Sequence, residues 1–148
     1  MPTSSRFAVA VHTLVSIAVM GGKPVRSEDI AHSANTGAVV IRRLLSQLNN
    51  AGLTTSQMGV GGGALLAKPS ENILLLDVYE AVEDTEIFTL HREAPFEGCA
   101  VGGNIQEAIQ PTLEKARLAL ESELSKVTIA DIASEVARLG KFTLPLVW

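Results

Sequence analysis

The stretch Thr36-Gly-Ala-Val-Val-Ile-Arg-Arg-Leu-Leu-Ser-Gln-Leu-Asn-Asn-Ala-Gly-Leu53 decides the fold that we predict for this chain. Apolar residues recur in it at helical spacing, Thr36 can cap its start, and Asn50-Ala51-Gly52 can end it. The apolar side of this predicted helix consists of Val40, Ile41, Leu44, Leu45 and Leu48. Arg42 and Arg43 then fall on the opposite, polar side of the helix.

A glycine-rich loop, Gly59-Val-Gly-Gly-Gly63, follows this helix. It separates two stretches, 53–57 and 64–68, that we predict to be short strands. A phosphate-binding loop is disfavoured here, because such a loop follows a strand, opens a helix and has a different glycine spacing. We therefore predict a β-hairpin whose glycine-rich tip can approach another surface closely, at an entropic cost in the free chain.

Two more helices are predicted before residue 36. The first can be capped by Ser4 or Ser5 and ended by Gly21-Gly22, and the second can be capped by Ser27 and broken around Asn35. The first helix has apolar residues at helical spacing, namely Phe7, Val11, Leu14, Val15 and Ala18.

Three helices followed by a glycine-tipped hairpin is the order of a winged helix-turn-helix. In that arrangement the third helix enters the DNA major groove, and the hairpin, or wing, reaches the minor groove or the backbone. Arg42 and Arg43 could then contact guanine edges or phosphates. A pair of solvated arginines on an ordinary helical domain is the alternative.

The C-terminal half has a different pattern. A short helix is predicted over 73–82, and residues 84–103 form an irregular connection with Pro95, Gly98, Gly102 and Gly103. From Ile105 to Val127 a narrow apolar stripe predicts a long helix that starts or kinks at Pro111. Thr128 can cap a last helix over 129–139, and the apolar tail 142–148 must dock on something or fray.

Charge divides along the chain, whose net charge is −4. Residues 1–70 contain six basic and two acidic side chains, and residues 71–148 contain six basic and fourteen acidic ones. The two halves therefore have net charges of +4 and −8. This difference indicates that each half has a different partner, and chance segregation of surface charge is the alternative explanation.

Composition excludes several classes of protein. One cysteine, Cys99, excludes an intrachain disulfide and fits a reducing cytoplasm. No apolar run reaches the roughly 18 residues of a membrane span, and the N-terminus lacks the pattern of a signal peptide. Neither a zinc site nor a metal-ligand spacing is present among one cysteine and three histidines. We expect a cytoplasmic protein without a metal or membrane partner.

Cys99 admits several interpretations. His91 is close in sequence, but no third residue orients a thiol–imidazole pair, so a thiol-dependent enzyme is a weak alternative and no catalytic residue is predicted. A sensor thiol in the loop before a helix start, where the helix dipole lowers the thiol pKa, is one hypothesis. An inert or buried cysteine is the other.

Several segments together resemble one known family, the Rrf-type winged-helix transcriptional regulators that include IscR, NsrR and CymR. The resemblance covers residues 3–135 and is closest to the single-cysteine YwnA-like branch. It rests on the first-helix, third-helix, wing, fourth-helix and cysteine segments, at 5–12, 40–53, 59–68, 73–83 and 98–106.

The resemblance implies a mainly α fold with a small β-hairpin wing, and a long C-terminal dimerisation helix. It implies domains 1–83 for DNA binding, 84–103 as a connecting loop and 104–148 for dimerisation. The DNA-binding residues that it implies are Arg6, Thr36, Gly37, Val39, Val40, Arg42, Arg43, Gly61 and Gly62. Dimerisation would use the seam, our name for Ile109, Leu113, Leu120 and Leu124.

The chain also departs from this family. Members that bind an iron–sulfur cluster use three cysteines where this chain has only Cys99, so we predict no cofactor. An arginine commonly precedes the first wing glycine, where this chain has Met58, and aromatic residues often follow the glycine run, where it has Ala64.

These observations predict a cytoplasmic, homodimeric transcriptional regulator, a repressor that binds a palindromic operator in double-stranded DNA and responds to redox state or to a ligand. A winged-helix protein-interaction module without DNA binding is the alternative from another class, and a thiol-dependent enzyme is a distant third.

Overall fold

The computed structural model describes residues 4–146. In this part of the chain six α-helices and a two-stranded antiparallel sheet form, with a short 3₁₀ helix at Ser70–Asn72. No helix among the described residues has the length and apolarity needed to cross a bilayer. The elements are α1 (Arg6–Ala18), α2 (Ser27–Ala34), α3 (Ala38–Asn50), β1 (Thr54–Gln57), β2 (Gly63–Leu66), α4 (Leu75–Val82), α5 (Ile105–Leu124) and α6 (Ile129–Gly140).

The predicted three-helix arrangement is confirmed, but two predicted caps are wrong. Ser27 is the first residue of α2, and Gly37 rather than Thr36 precedes the first turn of α3. Thr36 belongs to the turn between the helices, because its N–H donates to the carbonyl oxygen of Ala31 at 3.0 Å. Asn35 makes this turn possible with a left-handed backbone (φ 52°), which asparagine tolerates better than most residues.

The predicted hairpin is confirmed, with each strand one residue shorter than expected and with β2 beginning one residue earlier. Thr54 pairs with Leu66, and Gln57 pairs with Gly63 next to the tip. Ala64 also exchanges two backbone hydrogen bonds with Val25, which precedes α2. The wing, which consists of β1, β2 and their loop, is therefore attached through β2 to the segment before α2.

The main core brings together helices from both ends of the chain. Leu14 of α1, Leu48 of α3, Val78 of α4 and Ile129 of α6 are all fully buried in it. A capping box starts α6, in which Thr128 and Asp131 each accept a backbone N–H of the other. The C-terminal helix α6 therefore packs on α1, although the predicted domains placed α6 in a separate dimerisation segment that starts at residue 104. The predicted domain boundaries themselves stay a prediction.

The apolar tail docks on this core as far as it is described. Phe142 and Leu146 pack against the core, and the Leu146 N–H donates to the carbonyl oxygen of Val19 at 2.7 Å. Val147 and Trp148 lie outside the described residues.

The long helix α5 differs from the other α-helices because none of its residues is buried. It begins at Ile105, so Pro111 lies inside the helix and does not start it. Leu113, Leu120 and Leu124 of the seam are half-buried, and Ile109 is 40% exposed. The seam is thus only partly covered by the rest of the described chain.

Glu83, which follows α4, ties that helix to the start of α1. Its carboxylate accepts hydrogen bonds from the Ser4 hydroxyl at 2.7 Å and from the Phe7 N–H at 3.1 Å. It also pairs with the Arg6 guanidinium at 3.4 Å. The Ser4 hydroxyl in turn accepts the Arg6 N–H at 3.1 Å, whereas Ser5 occupies the N-cap position of α1 without a side-chain cap hydrogen bond.

Candidate DNA-binding interface

Helix α3 has one buried and one exposed side. Ile41, Leu44 and Leu48 face the core and are 2% exposed or less. The exposed side begins at Gly37 and continues through Val39, Val40, Arg42 and Arg43. The placement of Val40 on the apolar side was therefore wrong, because its side chain is 39% exposed. This separation follows from the helical spacing of the apolar residues, since positions three and four apart share a face. The predicted residues from Gly37 to Arg43 therefore form one continuous surface, and Thr36 at its edge is half-buried.

Arg42 has a carboxylate partner on the neighbouring helix. Its Nη2 donates to Oε1 of Glu28 in α2 at 2.6 Å, and both side chains are more than half exposed. The pKa of the Glu28 carboxyl is lowered, first by its own backbone N–H and then by Arg42. Because the pair is open to solvent, it contributes little to stability, and Arg42 can exchange Glu28 for another anion at low cost.

Arg43 and Arg6 are placed differently from Arg42. Arg43 is exposed on α3 and forms no ion pair with any residue from 4 to 146. Arg6 lies at the start of α1, beside Glu83. The structure therefore places Arg43 on the α3 surface with its charge uncompensated, whereas Arg6 is paired at the junction of α1 and α4.

The wing is fixed beside the C-terminal end of α3. Thr54 of β1 is buried, and its hydroxyl is hydrogen-bonded to the side chain of Asn49 in α3. At the tip, Gly61 has a positive φ of 78° and open space around it. At Gly62 a Cβ would lie 2.1 Å from the carbonyl oxygen of Gln57, so only glycine fits. Gly62 therefore closes the hairpin, and Gly61 leaves its tip accessible.

Cys99 lies in the connection before α5 and is exposed, so the hypothesis of a buried cysteine is wrong. Backbone N–H groups of Gly102 and then Val101 lower the pKa of its thiol. These groups belong to the turn before α5 and not to the helix itself. His91 Nδ1 lies 3.4 Å from Gln106 Nε2, and in the described part of the chain no hydrogen bond joins His91 to Cys99.

The ion-pair partners of Arg42 and Arg6 are not indicated by the sequence. Glu28 is fourteen residues from Arg42, and Glu83 is seventy-seven residues from Arg6. Neither separation matches the three- or four-residue spacing of neighbours on one helix, so no local pattern could indicate them.

Three helices packed around one core, a hairpin wing and an exposed third-helix face define a winged helix-turn-helix protein. Residues 3–135 match the family Rrf2, described as an iron-dependent transcriptional regulator. The chain belongs to this family of transcriptional regulators, as the sequence predicted.

Individual relatives agree with this family. The chain is 40% identical over 134 residues to YwnA of Bacillus subtilis, an HTH-type transcriptional regulator by name, covering 90% of this chain and 98% of YwnA. It is 39% identical to a crystal structure described as that of a DNA-binding protein, with a TM-score of 0.69, covering 86% and 98% of the two chains. CymR of B. subtilis, at 21% identity and a TM-score of 0.70 over 91% and 98% of the chains, has the same fold.

The family description mentions iron, but the residues of this chain do not fit an iron site by themselves. The sequence has one cysteine. Within residues 4–146 no three His, Cys, Asp or Glu side chains lie together as metal ligands. No step of the proposed function therefore involves iron, and the expectation that the protein has no cofactor stays a prediction.

Proposed function

We propose that this chain acts as a homodimeric repressor that binds a palindromic DNA operator through the exposed face of α3 in each copy. The observation that carries the proposal is this face itself, on which Arg42 and Arg43 are exposed while Ile41 and Leu44 anchor the helix in the core. Guanidinium groups on an exposed third helix suit guanine edges and phosphates.

The distribution of charge supports this orientation. The elements up to β2 belong to the basic half of the chain, and α4, α5 and α6 belong to the acidic half. A duplex approaching α3 therefore meets the positive part of the molecule, and the acidic part can face away from the phosphates.

The incomplete burial of α5 supports the homodimer. Its seam is half-buried and no residue of the helix is fully covered, which is unusual for a 20-residue helix of a globular protein. A second copy placed on the seam would complete its burial. A two-fold dimer presents two α3 faces, and its operator would then repeat the same half-site with opposite orientation.

DNA retention in a KCl series tests this proposal. A duplex selected by the protein from a randomised library should bind with an affinity that falls linearly on logarithmic axes as KCl increases, because bound phosphates release counterions. In transcription reactions from a promoter that contains this duplex, adding the protein should lower transcript yield. The absence of salt-dependent retention would favour the protein-interaction module instead, and increased transcript would contradict repression.

We further propose that Cys99 makes DNA binding sensitive to oxidation. Its thiol is exposed, and the amide groups of the turn favour the thiolate. A thiolate attacks hydrogen peroxide to give a sulfenic acid and hydroxide, and a second Cys99 thiol can displace water from it to form an intersubunit disulfide. Either product changes the turn that leads into α5.

We expect mild peroxide to reduce the DNA affinity of the parent but not of Cys99→Ser, and dithiothreitol to restore it. Free thiol is counted in parallel so that oxidation is demonstrated in the treated parent. If the thiol is oxidised and the parent and Cys99→Ser bind DNA equally well with and without peroxide, Cys99 has no sensing role. Loss of affinity in Cys99→Ser as well would place the effect at another residue.

A further inference from the structure

The tip of the wing exposes two apolar side chains. Met58 is 87% exposed and Val60 is fully exposed, the highest exposure among the large apolar residues described. They alternate with Gly59 and Gly61 in the loop between β1 and β2. Apolar side chains that lie together in water, unlike those scattered singly, are candidates for a contact site.

The backbone holds this tip in a closed turn. The Gly62 N–H donates to the carbonyl oxygen of Gly59 at 3.1 Å, and Gly59 and Gly61 have positive φ angles of 90° and 78°. The absence of a side chain at Gly62 permits its close approach to Gln57. Met58 and Val60 are therefore presented at the end of a hairpin that pairs up to Gln57 and Gly63.

The wing has no charge with which to bind phosphates. No ionisable side chain occurs from residue 53 to residue 67, and the next basic residue is Lys68, beyond the end of β2. At the same time Asn49 and Thr54 fix the wing to the end of α3. When α3 occupies a major groove, the part of the wing that extends furthest beside it is uncharged and apolar.

We propose that Met58 and Val60 form an apolar wedge that enters the minor groove of DNA next to the site occupied by α3. This inference rests on the proposed function and assigns the wing its mode of contact. Apolar side chains that enter a minor groove partly unstack a base step and kink the duplex, so they favour sequences that are easily deformed. The wing would thus select for deformability, and α3 would select for base identity.

The salt dependence of binding separates an apolar wedge from a charged contact. We expect Met58→Gln and Val60→Thr, which keep size but add polarity, each to weaken binding to the library-selected duplex roughly tenfold. The slope of log affinity against log KCl should not change, because no phosphate contact is lost. Removal of a phosphate contact would instead reduce that slope by about one. Leu139→Gln, at an exposed position on α6, is the matched control and should bind as the parent does.

Base unstacking provides a second readout. Duplexes with 2-aminopurine at single adenines beside the α3 half-site should become more fluorescent when the parent binds, and less so with the double variant Met58→Gln/Val60→Thr. Thermal unfolding checks that the variants fold.

Three results would overturn the wedge while leaving the proposed function intact. They are unchanged affinity in both wing variants, a change in salt slope, and a change in oligomeric state, the last of which would indicate that the tip contacts a second copy. Failure of the parent itself to retain DNA would instead reject the proposed function, and the wedge with it.

Discussion

Replacing Arg43 with alanine is expected to weaken binding to the selected duplex roughly ten- to hundredfold and to relax base preference at one position of each half-site. Arg43 is exposed on α3 and has no ion pair among the described residues, so its guanidinium can bind DNA without breaking an existing interaction. Gel-shift titrations against the selected duplex and its single-base variants measure both effects.

Arg42→Ala is expected to reduce discrimination at a guanine or its neighbour in the same way, but Arg42 must first leave Glu28. Glu28→Gln should therefore raise DNA affinity in the parent and have less effect when Arg42 is already alanine. Arg138→Ala, which removes an exposed arginine from α6, controls for the loss of one positive charge. If both α3 variants bind as the parent does, these arginines do not contact DNA.

Leu120→Glu is expected to convert the dimer to monomers or aggregates. A glutamate at the centre of the seam would place an unpaired charge in an apolar contact, which costs about 3–5 kcal/mol when it is fully enclosed. Light scattering measures the mass of the particle, and thermal unfolding measures whether the monomer itself is weakened.

Leu118→Glu is the matched control on the same helix. Leu118 lies roughly 160° away around α5 at about 100° per residue, and it is 50% exposed. The Leu118→Glu protein should therefore remain dimeric and keep the melting temperature of the parent. A Leu120→Glu protein that stays dimeric and equally stable would place the interface elsewhere, and loss of the dimer in Leu118→Glu alone would place it on the opposite face.

The wing and the α3 surface were predictable because they depend on local sequence. Residues three and four apart share a helix face, and glycines such as Gly62 mark positions where a side chain cannot fit. The exposure of Arg42 and Arg43 opposite Ile41, Leu44 and Leu48 could therefore be inferred from the sequence, whereas Val40, which the spacing placed on the apolar side, is 39% exposed.

Cap positions were less predictable because a polar residue before a helix can satisfy different backbone groups. Thr36 was expected to cap α3, but its N–H closes the turn after α2. The N-cap position of α3 is taken by Gly37, which has no side chain to accept a cap hydrogen bond. By contrast, Thr128 was placed correctly because Asp131 follows it at capping-box spacing, and two reciprocal hydrogen bonds favour one arrangement over the others.

The sequence by itself determined the order of the helices, the glycine-tipped wing, the polar face of α3 and the apolar seam of α5. All of these follow from periodicity and turn chemistry within about twenty residues. Only the tertiary structure decided that α6 packs on α1, that Glu28 and Glu83 pair with Arg42 and Arg6, and that Met58 and Val60 are left in water at the tip of the wing. The helix packing and the ion pairs join residues that are far apart in the chain, and the exposure of Met58 and Val60 means that no other segment covers them. Packing of the whole chain decides these features, because it must bury apolar surface and satisfy backbone hydrogen bonds at the same time.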